Sequence, residues 1–120
     1  MTARNPRILS NGGQVPNLVV GTLGSTATIM VSGPAAGLNY LIRQIILSNM
    51  GSSANVVHLY LDSTTTVSSV ERVIETSVAA DSTSILYINL PMVDVNLDLY
   101  ANATSASEVN ITVIGDIEAV

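Results

Sequence analysis

The residues of this chain that could carry out chemistry are few, and they form no recognisable catalytic group. The single histidine, His58, lies in the run NVVHLYL, on the side opposite Val57, Leu59 and Leu61. A histidine that acts as a general base needs a nucleophile within reach and a third group that orients it. The chain has no cysteine and no G-x-S-x-G motif. We therefore expect a structural role for His58, no catalytic residue and no enzymatic activity.

Three polar residues, Asp94, Asn96 and Asp98, have the spacing with which a calcium-binding loop begins. That loop needs glycine at its sixth position and glutamate at its twelfth, where this chain has Leu99 and Ser105. Alternation along a β-strand explains the same spacing without a ligand. One histidine and no cysteine are also too few for a zinc site. We expect no metal and, because no glycine-rich phosphate loop is present, no cofactor.

Two acidic residues near the C-terminal end, Asp116 and Glu118, suggest a different use. Arg4 and Arg7 lie at the opposite end of the chain. The two acids could bind a cation, or they could pair with an arginine from a neighbouring subunit.

The composition indicates a surface that becomes buried against other subunits. Of the 120 residues, 48% are hydrophobic and only 11% are charged, and lysine is absent. A free soluble domain carries about 25% charged residues. Uncharged hydroxyl and amide groups cost less to bury than charges. The pattern favours a subunit of an assembly; the alternative is a monomer made soluble by its hydroxyl groups.

The charge excludes some classes of partner. With a net charge of −5 and four arginines, the chain cannot form the large basic patch of a nucleic-acid-binding protein. No apolar run approaches the roughly 20 residues of a membrane span, and residues 1–17 lack the apolar core of a signal peptide. We expect no nucleic-acid partner, no membrane partner and no secretion.

The order of turn residues and apolar runs predicts an all-β chain. Residues 1–17 are polar and contain Pro6 and Pro16, so we expect an extended N-terminal arm before a single domain at 18–120. Eight runs are bounded by turn residues and are predicted to be strands: 18–23, 26–31, 38–48, 55–61, 70–78, 84–90, 95–101 and 108–117. Their number and spacing predict an antiparallel β-sandwich or jelly roll.

The alternation of apolar and polar residues predicts which strands have one solvent-exposed face. The runs 95–101 and 108–117 alternate apolar and polar residues, which is typical of such strands. The run 38–48 is apolar on both faces if it alternates regularly: Leu38, Tyr40, Ile42 and Ile46 lie on one, and Leu41, Ile45 and Leu47, with Arg43, on the other. A two-layer sandwich covers one face of each strand. The second face is therefore predicted to be a subunit interface, unless long loops fold over it.

The four tyrosines leave one further possibility. Tyr60 and Tyr100 are candidates for outward-facing rings, and exposed aromatic rings would provide a weak carbohydrate-binding patch.

The segment Ser32–Ile117, 86 of 120 residues, resembles a family of small β-sandwich proteins of tailed bacteriophages. The resemblance depends on order and spacing. The turn Pro34–Gly37 leads into LIRQIILSN at 41–49, the turn GSSAN at 51–55 and VVHLYL at 56–61. The turn Ala80–Thr83, the strand ILYINLP, the turn SAS at 105–107 and VNITVIGDIE at 109–118 follow. The lysine-bearing turns usual in the family are absent, and residues 1–31 lie outside the match.

The resemblance implies a virion structural protein. Members of the family serve as head decoration (cement) proteins on the capsid exterior, often as trimers, and also as tail or fibre parts. We expect a homo-oligomer, specifically a trimer, that binds the major capsid protein and is made in the host cytoplasm. The alternatives are a tail, baseplate or fibre component and a carbohydrate-binding surface module. Residues predicted at the subunit or capsid interface are Arg4, Arg7, Ile8, Leu9, Tyr40, Leu41, Arg43, Ile45 and Leu47.

Overall fold

The computed structural model describes residues 19–63 and 72–119 of the chain. The predicted arm, its residues Arg4, Arg7, Ile8 and Leu9, and the start of the predicted fifth strand lie outside these ranges. Across the described ranges, no helix is long and apolar enough to cross a membrane. The strands are β1 (Val19–Thr22), β2 (Thr28–Val31), β3 (Leu38–Asn49), β4 (Asn55–Asp62), β5 (Arg72–Val78), β6 (Ser82–Met92), β7 (Asp98–Ala103) and β8 (Val109–Ala119).

The eight strands form two four-stranded antiparallel sheets. Sheet A has the order β1-β8-β3-β6, and sheet B has the order β2-β7-β4-β5. The pairs β1–β8, β2–β7, β3–β6 and β4–β5 are nested, so the first strand pairs with the last and the middle two pair with each other. The prediction of an all-β, eight-stranded antiparallel β-sandwich is confirmed.

The core lies between the two sheets and is almost entirely aliphatic. Strand β8 shows why: Val109, Ile111 and Val113 point inward and are fully buried, while the residues between them remain partly exposed. β-branched residues fit such a half-buried pleated strand well. The alternation predicted for this strand is confirmed.

Strand β3 departs from regular alternation at Arg43. The pairing register shifts between Ile42 and Gln44 on both sides of the strand. Ile42 and Ile45 are therefore both buried in the core, although they are three residues apart. A β-bulge inserts one extra residue into a strand, so the side chains that follow it point to the opposite face from the one that regular alternation predicts. The predicted assignment of faces in this strand was wrong beyond Arg43 for this reason.

The start of β7 also differs from the prediction. The Asp94 carboxylate accepts a hydrogen bond from the Asn96 amide at 2.8 Å, and the Asp94 carbonyl accepts one from the Leu97 amide at 3.1 Å. Aspartate often turns the backbone in this way. Val95 is consequently half-exposed in a turn, not inside a strand. The proposed strand alternation from Asp94 to Asp98 was therefore wrong, because β7 begins only at Asp98.

A buried amide network closes one end of the sandwich. The Asn49 side-chain nitrogen donates to the carbonyl oxygen of Val78 at 3.0 Å and to that of Ser53 at 2.9 Å. The Asn49 side-chain oxygen accepts from the Gly51 amide at 2.9 Å and from the Asn55 side chain at 3.2 Å. Asn49 therefore connects the turn after β3 with the end of β5.

Candidate functional site

The outer face of sheet A, which points away from the core, carries three of the eight exposed large apolar side chains of the described residues. Val20 on β1 is 65% exposed, and Ile85 and Tyr87 on β6 are 46% and 78% exposed. Residues at alternate positions of β3 and β8 lie between these two edge strands on the same face. An exposed apolar patch of this kind marks an interaction surface on a soluble domain.

The strand register places these side chains in a continuous band. Val20 lies opposite Thr112, Thr112 opposite Ile46, and Ile46 opposite Ile85. The next row along the strands contains Ile114, Gln44 and Tyr87. The two rows together cross sheet A, and they contain no ionisable group except the tyrosine hydroxyl.

A groove lies at one end of this band, where β3, β6 and β8 run side by side. Its volume is about 220 Å³. Its apolar wall includes Leu41, Pro91 and the half-exposed Val93. Its charged wall contains Arg43, Asp116 and Glu118. We name these six residues the sheet A groove.

The sheet A groove contains two acidic side chains and one basic side chain. The Arg43 guanidinium forms an ion pair with the Asp116 carboxylate, and both side chains are partly exposed. Glu118 forms no ion pair with any residue of the described ranges. The groove therefore combines an apolar wall with one net negative charge, which suits a ligand that has both an apolar and a cationic side chain.

The chain matches no protein-family model, and no curated protein matches it significantly. The nested strand order and the outer face of sheet A are therefore the observations that bear on function.

The predicted interface residues separate into three groups. Leu41 and Arg43 lie on the outer face of sheet A and line the groove. Ile45 and Leu47 are buried in the core, so their prediction as interface residues is corrected. Tyr40 is also buried, but it contributes to the lining of the groove. The bulge at Arg43 explains the error for Ile45 and Leu47, because it turns them inward. The four residues predicted in the N-terminal arm lie outside the described residues.

His58 lies on the outer face of sheet B among polar partners. Its Nε2 atom is 3.1 Å from Oε1 of Glu75, which also forms an ion pair with Arg72 at 2.9 Å. The His58 ring centre is 6.1 Å from that of Tyr60. The described residues include no cluster of three or more metal-ligating side chains. The arrangement is a surface charge cluster that joins β4 to β5.

Tyr60 and Tyr100 do not form an exposed aromatic patch. They lie opposite each other on β4 and β7, and they are only 8% and 3% exposed. Burial raises the pKa of Tyr100 above its usual value, and the neighbouring carboxylates of Asp98 and Asp62 raise it further. The prediction that these two rings are exposed was therefore wrong. They lie on the face of sheet B opposite the core residues Leu59 and Leu99, but they are covered.

Sequence reasoning did not single out Val20, Ile85 and Tyr87 as candidate site residues. For β6 a signal was present: it places Ile85 and Tyr87 on one face and Leu86, Ile88 and Leu90 on the other. That strand carries apolar residues on both faces, and its outer face is the exposed one. No comparable signal marks Val20, since β1 is only four residues long.

Proposed function

We propose that this chain is a virion structural protein: a jelly-roll capsid decoration (cement) protein that binds the outer capsid surface as a homotrimer and stabilises the head. The nested pairing of the eight strands supports the jelly roll. A long antiparallel hairpin that folds over on itself pairs its strands first with last in this way. Jelly rolls are common among viral capsid domains, although lectins and cupins also use them.

The observation that carries the proposal is the uncharged apolar band on the outer face of sheet A. Burial of a side chain such as Ile85 contributes about 1.5–3 kcal/mol when it leaves water completely. Val20, Ile46, Ile85 and Tyr87 together supply several such contributions. A stable interface buries about 800 Å² on each partner and excludes charge from its centre. The band has the composition that such a centre requires.

The function follows from this surface without any catalytic step. A subunit that binds two neighbouring capsid proteins adds its binding free energy to the assembled state alone, and so stabilises that state. A cyclic oligomer also presents several copies of the same contact surface at once, which raises its effective concentration on a symmetric lattice. These two effects are what a cement protein needs.

Light scattering on the purified chain tests the oligomer. We expect a mass of three times 12.5 kDa. Ile85→Asp should lower that mass, since it places a charge in the apolar band. Val73→Asp is the matched control: Val73 is 42% exposed and lies on the edge strand of sheet B, as Ile85 lies on the edge strand of sheet A. A wild-type monomer, or equal effects of the two variants, would contradict the proposed interface.

The copy number of the chain in purified virions tests the location. A number that follows the capsid lattice supports a head protein. A small multiple that follows tail symmetry supports the tail, baseplate or fibre alternative.

A further inference from the structure

We propose that the sheet A groove binds the N-terminal segment of a neighbouring copy of this chain, with Arg4 or Arg7 beside Glu118 and with Ile8 and Leu9 on the apolar wall. This proposal rests on the homo-oligomer proposed above and adds a second contact between its subunits, next to the apolar band.

The first argument is the supply of positive charge. The chain has four arginines and no lysine. Arg43 pairs with Asp116, and Arg72 pairs with Glu75. Arg4 and Arg7 are therefore the two arginines left for Glu118, and both lie in the segment that precedes β1. A second copy of the chain supplies the same two charges.

The second argument is chemical complementarity. The segment Arg7-Ile8-Leu9 places one cation directly beside two aliphatic side chains. The groove places the Glu118 carboxylate beside an apolar wall of Leu41, Pro91 and Val93. Glu118 is exposed in the described chain, so docking of this segment would bring a cation to its carboxylate and apolar cover to the adjacent wall at the same time.

The third argument is the direction and length of the chain before β1. Val19 lies opposite Val113, and β1 runs antiparallel to β8, so the N-terminal end of β1 is directed toward the Glu118 end of β8. Glu118 is five residues beyond Val113, or about 17 Å along the strand. Arg7 is twelve residues before Val19, which is about 40 Å of extended chain. The extended length of this segment exceeds the distance to its own groove by roughly 20 Å, which is long enough for the segment to reach a neighbouring copy.

Disulfide trapping tests the proposal, and the chain is well suited to it because it has no cysteine of its own. The full-length double variant Ile8→Cys/Val93→Cys keeps every charge that the argument uses. Val93 is 63% exposed at the groove. A disulfide forms only when the two Cα atoms come within about 7 Å. Ile8→Cys/Val73→Cys is the control, with the second cysteine on sheet B.

Under mild oxidation at a concentration where the wild type is oligomeric, we expect covalent dimers and trimers of the first variant on a non-reducing gel. They should form roughly tenfold faster than in the control, because docking raises the local concentration of the two thiols. Monomers with an internal disulfide would show that the segment returns to its own groove, and would overturn the proposal. Equal rates in the two variants would also overturn it.

A charge exchange provides the second measurement. Arg4→Glu/Arg7→Glu and Glu118→Arg should each lower the oligomer mass. A 1:1 mixture of the two proteins should regain part of it, since two of the three contacts in a mixed cyclic trimer then join opposite charges, whereas every contact in a trimer of one variant joins like charges. No recovery in the mixture contradicts exchange between copies. If the wild type stays oligomeric but neither test links the segment to the groove, this inference fails while the proposed oligomer stands; a monomeric wild type contradicts both.

Discussion

The side-chain nitrogen of Asn55 lies 3.2 Å from the side-chain oxygen of Asn49, and this contact joins three turns at one end of the sandwich. Asn55 also donates to the Glu108 carboxylate at 3.0 Å and accepts from the Ser105 amide at 2.8 Å. Asn49 and Asn55 are both buried. Buried polar groups are tolerated because every partner is satisfied. The network therefore fixes the relative positions of the turns after β3, β5 and β7.

Removal of the Asn49 side chain should destabilise the fold strongly. Asn49→Ala removes the Asn49 partner of the Gly51 amide and of the Val78 carbonyl in a buried site, and it removes one of the two acceptors of the Asn55 side chain. Each unsatisfied group costs about 1–3 kcal/mol, so we expect a loss of about 2–4 kcal/mol in the free energy of unfolding. Asn89→Ala on the exposed face of β6 is the control and should change it by less than about 0.5 kcal/mol. Urea denaturation measures both; equal midpoints would disprove the role of the network.

The bulge at Arg43 predicts opposite outcomes for two adjacent isoleucines. Ile45→Ala empties a fully buried site and should cost about 2–5 kcal/mol. Ile46→Ala changes a half-exposed residue on the outer face of sheet A and should cost about 1 kcal/mol or less. The measurement is urea denaturation at a concentration where the chain is monomeric. Regular alternation from Ile42 would reverse this order, so a larger loss for Ile46→Ala contradicts the bulge.

The same strand shows how far the sequence could predict this fold. The eight strands and the two-sheet class follow from turn residues and apolar runs, because both signals are local. The bulge does not, since it depends on how Ile42 and Gln44 pair with two different neighbours. Sequence reasoning therefore placed Ile45 and Leu47 at an interface. The prediction of interface residues also included Leu41 and Arg43, which do lie on the outer face. The groove itself could not be predicted, because it forms only where β6 and β8 lie beside β3, and these strands are far apart in the sequence.

A close backbone approach makes Gly33 a further test of the fold. A Cβ atom at this position would lie 2.5 Å from the Val95 carbonyl oxygen and 2.8 Å from that of Leu97. Both are backbone atoms, so the clash cannot be relieved by a side-chain rotation. The Gly33 amide also donates to the Asp98 carboxylate at 2.6 Å. The turn before β3 and the turn before β7 are therefore packed directly against each other.

We expect Gly33→Ala to lower the free energy of unfolding by about 2 kcal/mol or more, since overpacking forces the backbone to move. Gly24→Ala is the matched control. Its Cβ would lie 3.7 Å from the nearest atom, an ordinary contact, so its effect should stay within about 0.5 kcal/mol. Thermal unfolding followed by circular dichroism compares the two. Similar melting temperatures would show that the two turns separate easily.

The raised pKa of Tyr100 predicts how stability depends on pH in alkali. The unfolded chain releases the tyrosine proton near the ordinary pKa of 10.0, whereas burial and the carboxylates of Asp98 and Asp62 keep the folded chain protonated to higher pH. Between these two pKa values the folded state binds more protons than the unfolded state, so stability falls as pH rises. Below the ordinary pKa both states are protonated and the effect disappears. Tyr100→Phe removes this group. The free energy of unfolding of the variant should therefore fall less steeply with pH than that of the wild type, and the two slopes should differ by up to about 1.4 kcal/mol per pH unit. Urea denaturation of both proteins from about pH 8 to about pH 11 measures the two slopes, and parallel curves would show that Tyr100 ionises equally well in the folded and unfolded chain.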